Sequence, residues 1–189
     1  FIAGAGVQWL RDRMKFFKKA PETEKIVKSI QNNNDIYLVP AFTGLGAPYW
    51  DANARGVLSG ITRDTSPKEI VRATIEAVAY QTQDLFEAMK HDGLRPKIVK
   101  VDGGMVMNNW FSQFLSDIVN VKVLRPKVQE TTALGAAFMA GLHIGVYKSL
   151  KDISRNWSLD KKFSPNMKKQ SRSTLLKGWM KAVKRTLIN

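Results

Sequence analysis

The chain has 189 residues, no cysteine, and a formal net charge of +14 from 30 lysines and arginines against 16 acids. This length fits one domain with appendages, and a hydrophobic content of 44% can build a sizeable core. The absence of cysteine excludes disulfide frameworks and thiolate metal sites, and it is compatible with a reducing cytosol. Since no apolar run approaches the roughly 20 residues of a bilayer span, the sequence predicts no transmembrane helix.

The first half of the chain predicts two helices followed by two strands. Apolar residues at helical spacing predict the first helix, which Pro21 closes. An aromatic and glycine-rich loop, residues 41–51, separates the strands, and we interpret it as either a functional loop or a cover for one edge of the core. The chain begins at Phe1, without methionine and apparently inside an element, so it reads as a piece of a longer protein. The predicted elements are the helices Ala5–Phe17 and Glu22–Ile30 and the strands Ile36–Val39 and Gly56–Thr62.

The second half predicts alternating helices and strands. Ser66, Pro67 and Glu69 form a helix start with an N-cap, a proline at the first position and a capping box. The alternation indicates an α/β layered domain. The last helix of this series is dense in alanine and glycine, which favours close packing against another element. The predicted elements are a helix from Ser66 to about Lys90, the strands Lys97–Val101 and Val121–Leu124, and the helices Asn109–Val119 and Thr131–Leu142.

Positive charge is concentrated at the C-terminal end. Residues 151–189 hold 11 lysines and arginines against 2 acids and therefore carry +9 of the total charge. Leu175, Trp179 and Val183 recur at helical spacing, which predicts a helix that docks by its apolar side. Aromatic residues do not alternate with the basic ones as they do in single-strand binders, so a solvated basic face is favoured over a nucleic-acid surface. We divide the chain into a domain at 1–150 and a basic, largely helical extension at 151–189.

A strand-to-helix turn at Val101-Asp102-Gly103-Gly104 is the candidate ligand site. Two adjacent glycines let a ligand approach the backbone, and a following helix N-terminus suits an anionic or polar group. The alternative is an ordinary tight connection. Asp102 could align a metal-bound water, or it could cap the turn.

Motifs for chemistry are scarce. The sequence has no P-loop, no dinucleotide-binding glycine motif and no nucleophile elbow. His91 and His143 lack metal-ligand spacing. No acid–base pair can be assembled from the remaining carboxylates considered, which are Asp51, Asp64, Glu76, Asp102, Asp117 and Glu130.

Several stretches, in matching order and spacing, resemble the glycerol kinases, a branch of the sugar-kinase family. The resemblance covers almost the whole chain and fades after about Leu150. The loop Phe42–Trp50 is similar to the glycerol branch, whereas xylulose-type kinases tend to carry Ser-Gly-Glu-Arg there. Met105-Val106-Met107 is bulkier than the family pattern. The matching stretches are Gly4–Asp12, Val39–Asp51, Ala54–Glu76, Val101–Gly104 with Asn108, and Glu130–Ala137.

The resemblance implies an α/β, ribonuclease H-like (actin-like ATPase) fold, with a mixed sheet flanked by helices. It also implies ATP-dependent phosphorylation of glycerol to glycerol 3-phosphate with Mg²⁺. By motif, Gly4 and Gln8 line one side of the ATP pocket, and Gly104 and Asn108 line the other. Gly4 and Gln8 are one helical turn apart, so the glycine admits a nucleotide that the amide can hydrogen-bond. We expect Gly104 and Asn108 to repeat this arrangement.

The resemblance also implies what the chain lacks. The family's glycerol pocket, catalytic aspartate and phosphate loop precede its residues, so we expect neither a catalytic nor a metal-binding residue here, Mg²⁺ being held mainly by the absent N-terminal half. The chain alone is expected to be inactive, and the enzyme cytoplasmic, with homo-oligomers left open. The alternatives are another sugar kinase, of xylulose or gluconate type, and a non-catalytic binding module whose basic tail touches nucleic acid.

Overall fold

The computed structural model describes residues 2–187. Phe1, where the chain was expected to begin inside an element, and the last two residues of the predicted extension, Ile188 and Asn189, lie outside the described residues. The helices are α1 (Gly4–Asp12), α2 (Glu22–Lys28), α3 (Pro67–His91), α4 (Asn109–Val119), α5 (Thr131–His143), α6 (Leu150–Ser154) and α7 (Lys169–Thr186), with a 3-10 turn at Gly104–Met107. The strands are β1 (Tyr37–Val39), β2 (Val57–Ser59), β3 (Ile98–Lys100), β4 (Lys122–Pro126) and β5 (Leu159–Phe163).

The strands form two small sheets. β1 pairs antiparallel with β2, with Leu38 opposite Leu58. The second sheet is mixed, in the order β3-β4-β5, with β3 parallel and β5 antiparallel to β4. Parallel strands require a crossover, and here α4 lies within the segment that joins β3 to β4. This arrangement puts the glycine turn at the carboxyl end of β3, and it confirms the α/β class.

Helix α3 is the centre of the packing, because it contacts α1, α2, α4 and β1. Its N-terminus has the predicted capping box: the Ser66 hydroxyl accepts from the backbone N–H of Lys68 at 3.3 Å, and the Glu69 carboxylate accepts from the backbone N–H of Ser66 at 2.9 Å. The cap satisfies donors that no earlier helical turn can reach. It therefore fixes the start of the helix against which α1, α2, α4 and β1 pack.

Replacing Ser66 by alanine is expected to lower the free energy of unfolding by about 1 kcal/mol, because an N-terminal donor of α3 loses its partner. Urea unfolding followed by circular dichroism measures the change. Ser173→Ala is the control, since Ser173 is exposed in the middle of α7. An equal loss in both variants would contradict a role for the cap.

Four aromatic rings join α7 to the core. Tyr80 on α3 stacks on Trp179 of α7 with ring centroids 5.3 Å apart, and it also contacts Tyr37 and Phe114. Gly178 is needed beside Trp179, because a Cβ there would overlap the ring of Tyr37. The prediction that this basic helix docks by its apolar side is therefore confirmed.

Glu76 is a structural carboxylate. Its side chain is fully buried on α3 and accepts from Arg72 at 2.8 Å, from Asn33 at 2.8 Å and from the Tyr80 hydroxyl at 3.0 Å. Burial raises its pKa, although these three hydrogen bonds lower it. Both carboxylate oxygens are therefore bonded, and the Asn33 bond joins α3 to the turn before β1.

One prediction about a helix was wrong, and one stays a prediction. The first helix was expected to reach Phe17, but α1 ends at Asp12, because Lys15 takes a left-handed conformation with φ of 59° that a helix cannot continue. The small residues of α5 were expected to allow close packing; within the described structure Gly141 is the one buried residue of that helix, so this expectation stays a prediction. None of the helices in residues 2–187 combines the length and apolar character needed to cross a bilayer.

Candidate nucleotide site

One cavity of about 330 Å³ lies between α1, α2 and the turn that precedes α4. Its volume falls within the range of small-molecule sites, about 300 to 1,000 Å³. All four residues predicted by the resemblance, Gly4, Gln8, Gly104 and Asn108, line this cavity. Gly4 and Gln8 are more than 90 positions away from Gly104 and Asn108 in the sequence. The fold therefore brings the two predicted walls to face one space.

Both glycine walls leave open space in front of the backbone. A Cβ built on Gly4 or on Gly104 would meet no other atom within 4 Å. The neighbouring Gly103 has a φ of 83°, which an L side chain rarely adopts, and its N–H donates to the carbonyl of Gln129 at 3.3 Å. The glycine turn is thus held in place, while the side facing the cavity stays free for a ligand.

On the α1 wall, Gly4 and Gln8 lie one helical turn apart, as predicted. The Gln8 side chain is exposed, and no side-chain hydrogen bond described within residues 2–187 involves it. A primary amide offers both donors and an acceptor. Gln8 is therefore available to bond a ligand that rests against Gly4.

On the second wall, the expected helical repeat is wrong. Gly104 begins the 3-10 turn, and Asn108 is the N-cap of α4 rather than a residue one α-helical turn further on. The side-chain oxygen of Asn108 accepts from the backbone N–H of Phe111 at 3.0 Å. The side-chain nitrogen of Asn108 lies 3.4 Å from the Thr23 hydroxyl. Capping therefore uses the acceptor of this amide, and it is the NH₂ group that Asn108 can present to a ligand.

Helix α2 supplies lining residues that the sequence analysis missed, Thr23 and Glu24. The Glu24 carboxylate accepts from the backbone N–H of Asn109 at 3.2 Å and also pairs with Lys28. Burial raises the pKa of Glu24, but the bonds from Lys28 and Asn109 outweigh it, so the pKa lies below its ordinary value. The sequence predicted α2 itself, and no spacing signal joined it to Asn109, which lies 85 residues from Glu24.

The cavity lining is mainly apolar. The apolar side chains are Val7, Ala20, Pro21, Ile75, Met105 and Met107. Arg11 is the cation of the lining and Glu24 its anion. Arg11 bonds Asp12 twice, at 2.7 and 2.9 Å, and this contact holds the pKa of the Asp12 carboxyl below its usual value. Apolar walls with a few polar groups suit a base and sugar better than a triphosphate.

Within residues 2–187, Asp102 bonds no backbone group of the glycine turn and instead joins that turn to α5. Its carboxylate accepts from the hydroxyl of Thr131, the first residue of α5. Among residues 2–187, no group of three or more histidine or acidic side chains is placed to hold a metal ion.

Known proteins match the chain by sequence. The FGGY family of carbohydrate kinases, C-terminal domain, matches residues 1–144. Glycerol kinase 1 of Pseudomonas aeruginosa is 55% identical over 185 residues, which is 98% of this chain and 37% of that protein. The glycerol kinase of Alkaliphilus oremlandii is 52% identical over 188 residues, 99% of this chain and 37% of that protein.

Solved structures match the fold. A crystal structure of Plasmodium falciparum glycerol kinase with ADP superposes with a TM-score of 0.86 at 37% identity, covering 98% of this chain and 37% of that one. A ligand-bound xylulose kinase from Lactobacillus acidophilus gives a TM-score of 0.78 at 25% identity, covering 96% of this chain and 37% of that one. The ribonuclease H-like, actin-like ATPase fold implied by the resemblance is confirmed.

The chain spans little more than a third of the length of these relatives. Within that span the match is continuous, and it includes both walls of the cavity. The chain belongs to the FGGY family of carbohydrate kinases.

Proposed function

We propose that the chain is the nucleotide-binding part of an ATP-dependent glycerol kinase, which converts glycerol to glycerol 3-phosphate. The observation that carries the proposal is the cavity of about 330 Å³ that Gly4, Gln8, Gly104 and Asn108 line together. The identity of 55% to a glycerol kinase over 98% of the chain supports the choice of substrate. The ADP named with the Plasmodium falciparum structure supports the choice of nucleotide.

In this proposal the cavity holds the adenosine end of ATP. Its apolar side chains and the two glycine walls accommodate the flat base and the sugar. The NH₂ group of Asn108 and the free amide of Gln8 supply hydrogen bonds that orient them. Because the lining contains a single cation, Arg11, the phosphates extend out of the cavity toward the rest of the kinase.

The chemistry belongs to the part of the kinase outside this chain. Phosphoryl transfer requires an aligned acceptor, a metal ion and groups that stabilise charge on the γ-phosphate. No residue of this chain is assigned a catalytic role, and Mg²⁺ and glycerol are assigned to the remaining part. The chain alone is accordingly inactive. Because the reaction consumes ATP, we also propose a cytoplasmic location.

Helix α5 is proposed to pack against that remaining part. The side chain of Met139 on this helix is 54% exposed, and no residue within 2–187 covers its alanine-rich surface. Within residues 2–187 strand β3 pairs with β4 alone, and the side chain of Ile98 on β3 is 51% exposed. Exposed apolar surface of this kind favours a partner. The relatives have almost two thirds of their length outside the matched span.

The proposal is tested in two steps. Isothermal titration of the chain with ADP measures nucleotide binding directly. A chimera, in which the chain replaces the matching 185 residues of the Pseudomonas aeruginosa relative, is then assayed for ATP-dependent phosphorylation of glycerol. We expect activity in the chimera and none in the chain. An inactive, folded chimera that does not bind ADP would overturn the nucleotide-binding role.

The acceptor needs a separate test, because in the chimera the relative supplies the glycerol pocket. The full polypeptide that contains this chain is assayed with glycerol, xylulose and gluconate at equal concentration. A preference for glycerol is expected. A preference for xylulose or gluconate would assign the chain to the kinases whose structures match at 25% identity, and it would leave the nucleotide site unaffected.

A further inference from the structure

Helix α7 has charges of one sign. Its 18 residues include Lys169, Arg172, Lys177, Lys181, Lys184 and Arg185, and no aspartate or glutamate. Helices of soluble proteins commonly mix both signs, so that pairs one turn apart stabilise each other. The composition of α7 gives up that stabilisation.

The cations form a stripe opposite the docked side of the helix. Trp179, Ala182 and Val183 are buried against the core. Lys177, Lys181 and Lys184 are exposed, and their spacings of four and three residues place them on one face. Lys169, two turns before Lys177, continues the same face. Met180 is 41% exposed and Leu176 half-buried between these lysines.

The stripe is not neutralised within the described structure. Among residues 2–187 there are six ion pairs, and none includes a residue of α7. Arg172 is half-buried and donates to the backbone carbonyl of Ile118 at 3.4 Å, whereas Lys177, Lys181 and Lys184 are exposed. A rigid, docked helix therefore offers a row of ammonium groups with two apolar side chains among them.

We propose that the α7 stripe, defined as Lys169, Leu176, Lys177, Met180, Lys181 and Lys184, docks on the surface of an anionic phospholipid bilayer. Lysines attract anionic headgroups, and their long stems allow the backbone to lie at the interface. Met180, 41% exposed among these lysines, adds an apolar contact. This inference does not depend on the proposed kinase activity.

Nucleic acid fits the same charge less well. Single strands are held by exposed aromatic rings, whereas Trp179, the aromatic residue of α7, is 1% exposed. Base recognition in duplexes relies on paired donors such as those of arginine, while the stripe contains lysines, which act as point charges. The bilayer is therefore the partner that these side chains favour.

Vesicle flotation tests the proposal with the full chain. Vesicles of phosphatidylcholine mixed with phosphatidylglycerol are expected to bind it, and vesicles of phosphatidylcholine alone are not. Lys177→Gln with Lys181→Gln is expected to weaken the association about 30-fold, because two surface lysines are lost.

The matched control is Arg95→Gln with Lys97→Gln, which removes the same charge from an exposed loop between α3 and β3. It is expected to change the association less than about threefold. Equal losses in both double variants would overturn the α7 stripe as the docking surface. Absence of binding, equal binding to uncharged vesicles, or tighter binding to duplex DNA at the same salt would overturn the bilayer as its partner.

Discussion

Gly104→Val is expected to lower the affinity of the chain for ADP by about 100-fold. A Cβ at this position meets no protein atom within 4 Å, so the valine side chain would occupy the cavity without disturbing the fold. The overlap with bound nucleotide would then cost about 2.7 kcal/mol, within the range for overfilled sites. Isothermal titration with ADP measures the affinity, and urea unfolding checks that stability is retained.

Gly135→Val is the matched control for this substitution. Gly135 also has open space around its Cβ position, but it lies on α5 and does not line the cavity. We expect its ADP affinity to equal that of the unchanged chain, and Gly4→Val to behave like Gly104→Val. Unchanged ADP affinity in the Gly104 variant would rule out the assignment of this glycine, even if the chimeric kinase were active.

The sequence predicted the identity of the cavity walls better than their geometry. The resemblance implied Gly4 and Gln8, and the helical turn expected between them is there. Asn108 was expected to act as Gln8 does, although asparagine before a helix is a favoured N-cap, and that rule would have predicted the bond to Phe111. The contribution of Glu24 could not be predicted, because its contact with Asn109 depends on how α2 packs beside α4.

For the fold, local signals succeeded where they were strong. The capping box at Ser66 and the apolar period of α4 gave helix starts that agree with the structure. The end of α1 was missed, because the left-handed residue there is Lys15, and neither glycine nor asparagine marks it. The small residues of α5 predict packing, but composition cannot say whether the partner lies inside the same chain.

Trp179→Ala is expected to lower the free energy of unfolding by about 4 kcal/mol, as for other buried aromatic residues. The Trp179 side chain is 1% exposed, and its ring stacks on Tyr80. Its indole N–H donates to the Asp84 carboxylate at 2.8 Å, so the substitution removes both packing and a hydrogen bond between α7 and α3. Lys181→Ala, at an exposed position of the same helix, is expected to change the value by less than about 0.5 kcal/mol.

Trp179→Phe separates these two contributions through their pH dependence. Burial raises the pKa of Asp84 to about 6, although the Trp179 bond and Tyr49 lower it. The folded chain therefore holds a proton that the unfolded chain has released. The free energy of unfolding falls as pH rises from about 4 to 6, because the carboxylate must then ionise while buried.

Phenylalanine at position 179 keeps most of the packing but provides no donor to the Asp84 carboxylate. Its destabilisation, measured by urea unfolding, should be larger at pH about 8 than at pH about 4, where Asp84 is protonated. With Asp84→Asn as the background, the difference between the two pH values should disappear. A pH-independent loss in the original background would show that Trp179 stabilises the fold by packing alone.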